Sequence, residues 1–227
     1  MALAPFPDDW WTVPDAATPN GLRIAFAGPP FGDGRDAVLD GIERSMNDLD
    51  GWSPVGPIVL AFSHAVERTI LPANEFEAQH PLAPLSLVDV DPASPDYGKR
   101  IPYRAEARDD AAPDGTVDHT LLVFPAITLR PGGAYAVVVS RRLVAAGDPA
   151  RPFGASAFFA RAAGTPQPGD DAATLRIRSL VSPVLDLLET LPEAPMPRED
   201  VALALHVRIR SLLRDPSDLV AIKENAL

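Results

Sequence analysis

The chain has 227 residues, 46% apolar and 22% charged, the balance of a globular protein long enough for one large or two small domains. Its formal charge of −11 excludes the concentrated basic surface that a nucleic-acid partner requires, and no run approaches the roughly 18 consecutive apolar residues of a membrane-spanning helix. There is no cysteine, so neither disulfides nor thiolate metal sites can form.

Residues 1–49 read as an irregular lead-in. Met1 to Pro5 carry no charged n-region or apolar h-region, so no signal peptide is expected there. Phe6, Trp10 and Trp11 are apolar anchors among prolines, suited to packing on a neighbouring domain. Val38, Leu39, Ile42, Met46 and Leu49 fall at helical spacing and predict a short helix over 36–49.

Residues 50–163 carry the strand signals. The 26 prolines and 15 glycines are scattered along the chain, which cuts it into the short pieces of an all-β sandwich. Strands are expected over 58–62, 85–90, 100–107, 119–124 and 134–139. In the last of these, Tyr135, Val137 and Val139 share one face while Ala134, Ala136 and Val138 share the other. Both faces are apolar, which predicts a central strand. The expected fold is mainly β, an immunoglobulin-like sandwich.

Residues 164–227 follow another grammar. A Pro/Gly linker over 164–169 precedes Asp170 and Asp171, either of which can cap a helix. Leu180, Val184, Leu187, Leu188 and Leu191 share a helical face, and Pro183 is expected to kink that helix or start it near Ser182. Val201, Leu203, Leu205, Val207 and Ile209 alternate with Ala202, Ala204, His206, Arg208 and Arg210, a strand with one buried face. Asp215-Pro216 reads as the start of a further helix, cut short at Leu227.

Three runs carry a family resemblance: Asp50-Gly51-Trp52-Ser53-Pro54 leading into Pro57 to Phe62, Val88-Asp89-Val90-Asp91-Pro92-Ala93-Ser94-Pro95-Asp96-Tyr97-Gly98, and Leu129-Arg130-Pro131-Gly132 with Tyr135 to Val139. Together with Phe6-Pro7-Asp8-Asp9 and Pro197-Arg198-Glu199-Asp200-Val201, they resemble the N-terminal region of large bacterial lipase-like proteins of the virulence-factor lipase type. In that family an Ig-like module precedes an α/β-hydrolase domain. The resemblance implies an exported, non-catalytic accessory module (periplasmic, cell-surface or extracellular) whose partner is a downstream hydrolase domain. It implies that an activated serine and its histidine base lie beyond Leu227, so no catalytic residue is carried over. The chain departs from the pattern at His206 and Arg208, where an aromatic and a threonine are expected.

No Gly-x-Ser-x-Gly elbow occurs; Gly154-Ala155-Ser156-Ala157-Phe158 is the nearest approach and ends in a bulky residue, so Ser156 reads as a loop serine. His64, His80, His119 and His206 show no metal-ligand spacing. Asp89, Asp91 and Asp96 are the candidate metal ligands, since alternate aspartates at a strand end can surround calcium, though the run lacks the glycine and terminal glutamate of an EF-hand. The competing reading is a turn whose carboxylates accept backbone N–H groups. Asp109, Asp110 and Asp114 before Gly115 read as a solvated hairpin loop. Trp10 and Trp11 are candidate binding residues that could stack on a sugar ring, against the plainer reading that they pin the lead-in to its own domain. The alternative to the accessory module is a self-contained binding or adhesion module, calcium-dependent or not, for a surface polymer.

Overall fold

The computed structural model describes residues 5–26 and 41–212, apart from 42, 44 and 113. Two antiparallel sheets organise it. One has four strands in the order β11 (Val201–Arg208), β8 (Ala134–Ser140), β4 (Leu85–Asp89), β5 (Arg100–Ile101). The other has three, β3 (Ile58–Phe62), β7 (Val117–Pro125) and β6 (Tyr103–Ala111). Two small ribbons, β1 (Thr12–Pro14) with β2 (Leu22–Ile24) and β9 (Val144–Ala145) with β10 (Asp148–Pro152), complete the strands. The architecture is mainly β with few helices, and no described helix is long and apolar enough to cross a membrane.

One core cluster draws on both sheets, with Ile58, Leu60, Leu121 and Val123 from one and Leu85, Leu87, Val137, Val139 and Leu205 from the other. A second lies on the outer face of the four-stranded sheet, where Val88, Ala136, Val138 and Ala204 meet Val181, Val184, Leu185 and Leu188 of α2 (Ala172–Glu189). That sheet is therefore buried on both faces, which is why β8 is apolar throughout. The division of β8 expected from the sequence is the one observed: Tyr135, Val137 and Val139 enter the first core, and Ala134, Ala136 and Val138 the second.

Several sequence expectations need correction. The strand expected over 100–107 is two strands in different sheets, separated at Pro102, which has no N–H to continue a ladder. Pro183 neither starts nor ends a helix; it lies within α2 on an exposed position, while the buried residues around it hold the helix against the sheet. The strand at 201–208 buries both faces because its sheet has a core on each side, and the register shift between Val201 and Leu203 puts Ala202 in the first core and Ala204 in the second. It forms the edge of the four-stranded sheet, so the segment after 164 supplies part of the same core as the segment before it.

A helix not expected from the sequence, α1 (Ala157–Ala163), follows Ser156, which caps it: Phe159 N donates to Ser156 Oγ at 3.1 Å. The lead-in packs on the sheets, with a 3-10 turn at Asp9–Trp11 beside β11 and α2. Of the helix expected over 36–49, residues 41, 43 and 45–47 are helical and residues 36–40, 42 and 44 lie outside the described residues, as does the helix expected from Asp215.

Candidate functional site

The lead-in turn at Asp9–Trp11 is fixed from two directions. From the sheet, His206 Nδ1 donates to Asp9 Oδ2 at 2.7 Å, while Trp52 Nε1 and Arg208 N donate to Oδ1 at 2.9 and 3.0 Å. From the helix, the Arg176 guanidinium donates to the carbonyls of Asp9, Trp10 and Thr12. Asp9 is 2% exposed, so three donors satisfy a carboxylate that burial alone would strongly disfavour. His206 through its imidazole and Arg208 through its backbone N–H thus hold the lead-in to β11. Trp52 reaches Asp9 because Gly51 lets the chain approach β11 closely. A Cβ on Gly51 would sit 2.7 Å from the Arg208 carbonyl.

Asp8, beside it, has another character. Its Oδ1 accepts from Trp10 N at 2.9 Å and caps the turn. Burial pushes its carboxyl up to about 7; the Trp10 N–H bond, His206 and Arg176 oppose this, and the neighbouring Asp9 adds to it.

Asp8 lines a cleft of about 750 Å³ that opens between the edges of the two sheets. Ala61, Phe62 and Ser63 of the β3 side form one wall and residues 202–205 of β11 the other, with Phe153, Phe158 and Phe159 between them. Phe62 and Phe153 are in ring contact at 4.7 Å. Ser156, Asp118 and His119 are at its polar margin. The volume and apolar lining are those of a small-ligand site.

The tryptophans are placed apart from this cleft's lining. Trp11 packs on the first core and meets Phe26 at 5.7 Å. Trp10 contacts the edge of Phe158 at 6.5 Å and lies 5.8 Å from the Arg176 guanidinium. Both rings are half-buried.

The three candidate calcium aspartates are engaged separately. Asp89 accepts from Asp91 N and Ser94 Oγ, Asp91 from Ala93 N and Arg130 Nη2, and Asp96 from Lys99 Nζ. Burial raises the Asp91 carboxyl, but the Arg130 and Ala93 hydrogen bonds outweigh it and hold the group below the usual carboxylate range. Among the described residues no three histidine or acidic side chains converge as a metal-ligand set.

At the β6–β7 hairpin Asp109 faces His119 at 2.7 Å and Arg68 at 2.9 Å, an exposed network. Asp114 Oδ1 accepts from Thr116 N within the turn. Ser63 Oγ lies 2.9 Å from His64 Nδ1 on the surface. Ser156 is occupied in capping α1.

No family model matches the sequence, and no curated protein does. Among solved structures, the chain is similar to surface layer protein SbsC, domains 1–6, at a TM-score of 0.24 and 15% identity. The alignment takes in 50% of this chain and 15% of that one. A likeness at that level assigns no family.

The sequence missed the Asp9 latch because its partners come from positions 52, 176, 206 and 208, far apart in the chain. The one side-chain signal on β11 was His206, a polar residue within an apolar strand; Arg208 contributes only its backbone N–H to the latch.

Proposed function

We propose that this chain is an immunoglobulin-like sandwich acting as the non-catalytic accessory module of a larger, exported lipase- or esterase-like serine hydrolase, which it supports or orients. What supports the reading is the apolar surface on the connection between β3 and β4. Phe76 is 85% exposed and Leu82 56% exposed, and both line one open groove with Ile70, Leu71 and Pro72. Thr69, Glu77, Gln79 and His80 line the same groove, and exposed apolar side chains rimmed by polar ones are found where protein surfaces meet. A hydrolase domain of the same polypeptide is the partner that the family resemblance implies.

Reading the gene past the codon for Leu227 tests this. A frame that continues into a strand, a Gly-x-Ser-x-Gly elbow and a helix supports the accessory role; an immediate stop codon sinks it.

A second reading, a self-contained binding module, is favoured by a different observation. The aromatic side chains of the cleft beside Asp8 suit recognition of an apolar ligand or polymer segment.

A further inference from the structure

We infer that the cleft between the edges of β3 and β11 is a binding site for an amphiphilic cation, an ammonium group on an apolar chain, whose charge is held by Asp8. The inference concerns the cleft alone, so its failure would leave the accessory reading standing.

Three observations carry it. The first is shape and lining: about 750 Å³, with Phe62, Phe153 and Phe158 and the aliphatic side chains of Leu203 and Leu205. An alkyl chain transferred there leaves water at roughly 0.8 kcal/mol per methylene.

The second is the polar anchor. Asp8 is 8% exposed, and its Oδ1 is taken by the Trp10 N–H. Among the described residues Oδ2 has no hydrogen-bond donor, although the residue lines the cleft. That oxygen is left open to a donor from the cleft, and an ammonium supplies the donor and the countercharge together.

The third is the sign of the surroundings. Asp9 lies beside Asp8 in the chain, and Asp118 of β7 lines the same cleft. The cations that face Asp8 make their hydrogen bonds elsewhere, His206 of β11 to Asp9 and Arg176 of α2 to three carbonyls of the lead-in, although both charges still favour the ionised Asp8. Aromatic faces add a further preference for a cation over an anion.

A bound cation favours the ionised form of Asp8, which burial otherwise disfavours, so affinity rises with pH through about 7. The same linkage makes binding release protons below that pH.

The test is calorimetric titration of the folded chain with decylammonium, decanol and decanoate, each below its micelle concentration. Decylammonium is expected to bind more tightly than decanol, and decanoate least. Asp8→Asn keeps the capping oxygen and is expected to weaken decylammonium at pH 8 by about tenfold while leaving decanol unchanged. Ala61→Phe, on the cleft wall, is expected to weaken both. Equal affinity of wild type and a folded Asp8→Asn for decylammonium overturns the inference, as does the absence of binding by any of the three probes.

Discussion

His206 and Asp9 lie 197 residues apart in the sequence and meet at 2.7 Å, joining the last strand of the four-stranded sheet to the first turn of the chain. Since Asp9 also accepts from Trp52 Nε1 and the Arg208 N–H, it ties the lead-in, the segment before β3 and β11 to one carboxylate.

Removing that carboxylate leaves three donors without their acceptor at a buried position. Asp9→Ala is expected to destabilise the fold by about 3–5 kcal/mol, whereas His206→Ala, which leaves Asp9 two donors, is expected to lose roughly 2 kcal/mol. Urea unfolding followed by tryptophan fluorescence measures both, and Trp52 reports directly because it is a partner of Asp9.

Asp8 gives the fold a pH dependence of opposite sign to an ordinary salt-bridged aspartate. Its pKa rises from 3.8 to about 7 on folding, so between those values the folded state binds the extra proton. Stability from this group is therefore complete below about 4, declines as pH rises toward 7, and is lost above it. Asp8→Asn removes that decline and is expected to raise stability at pH 8 by on the order of 2 kcal/mol. Denaturation midpoints of both proteins from pH 4 to pH 8 show whether the two curves converge at the acid end.

The contrast between these adjacent aspartates marks what a sequence can and cannot show. β8 was legible because a short continuous apolar run, β-branched at three successive valines and preceded by Gly132-Gly133, fits a strand buried on both sides better than a helix. The sheet change at Pro102 was not, because 100–107 reads as one unbroken strand unless the proline's missing N–H is allowed to end it. The Ser156 helix was hidden by its shortness, since seven residues carry too little periodicity to distinguish from a loop. Asp8 and Asp9 look equivalent in sequence. Only the donors brought from 52, 206 and 208 to one of them, and the cleft beside the other, give them different chemistry.

Calcium is expected to have no effect on stability through Asp89, Asp91 and Asp96. Their carboxylates already accept from Ser94, Arg130, Lys99 and backbone N–H groups, and a metal would have to displace those donors. Millimolar calcium and excess chelator should give melting temperatures that agree within about one degree. A larger rise with calcium, abolished by Asp89→Asn, would show that the turn rearranges around an ion.

Phe76 bears on the accessory reading. At 85% exposure it contributes little to this chain's own core, so Phe76→Ser is expected to shift stability by less than about 0.5 kcal/mol. In the longer polypeptide that the reading requires, Phe76→Ser with Leu82→Ser is expected to loosen the contact between domains. Faster limited proteolysis between them is the readout; an unchanged digestion rate would move the docking surface elsewhere.

The most direct measurement is ester hydrolysis by the chain as it stands, with p-nitrophenyl butyrate and a serine-directed phosphonate as inhibitor. A non-catalytic module predicts release of p-nitrophenol at the buffer rate, unaffected by the phosphonate. Multiple turnovers above that rate, abolished by stoichiometric phosphonate, would contradict the account and place a nucleophilic serine within these 227 residues.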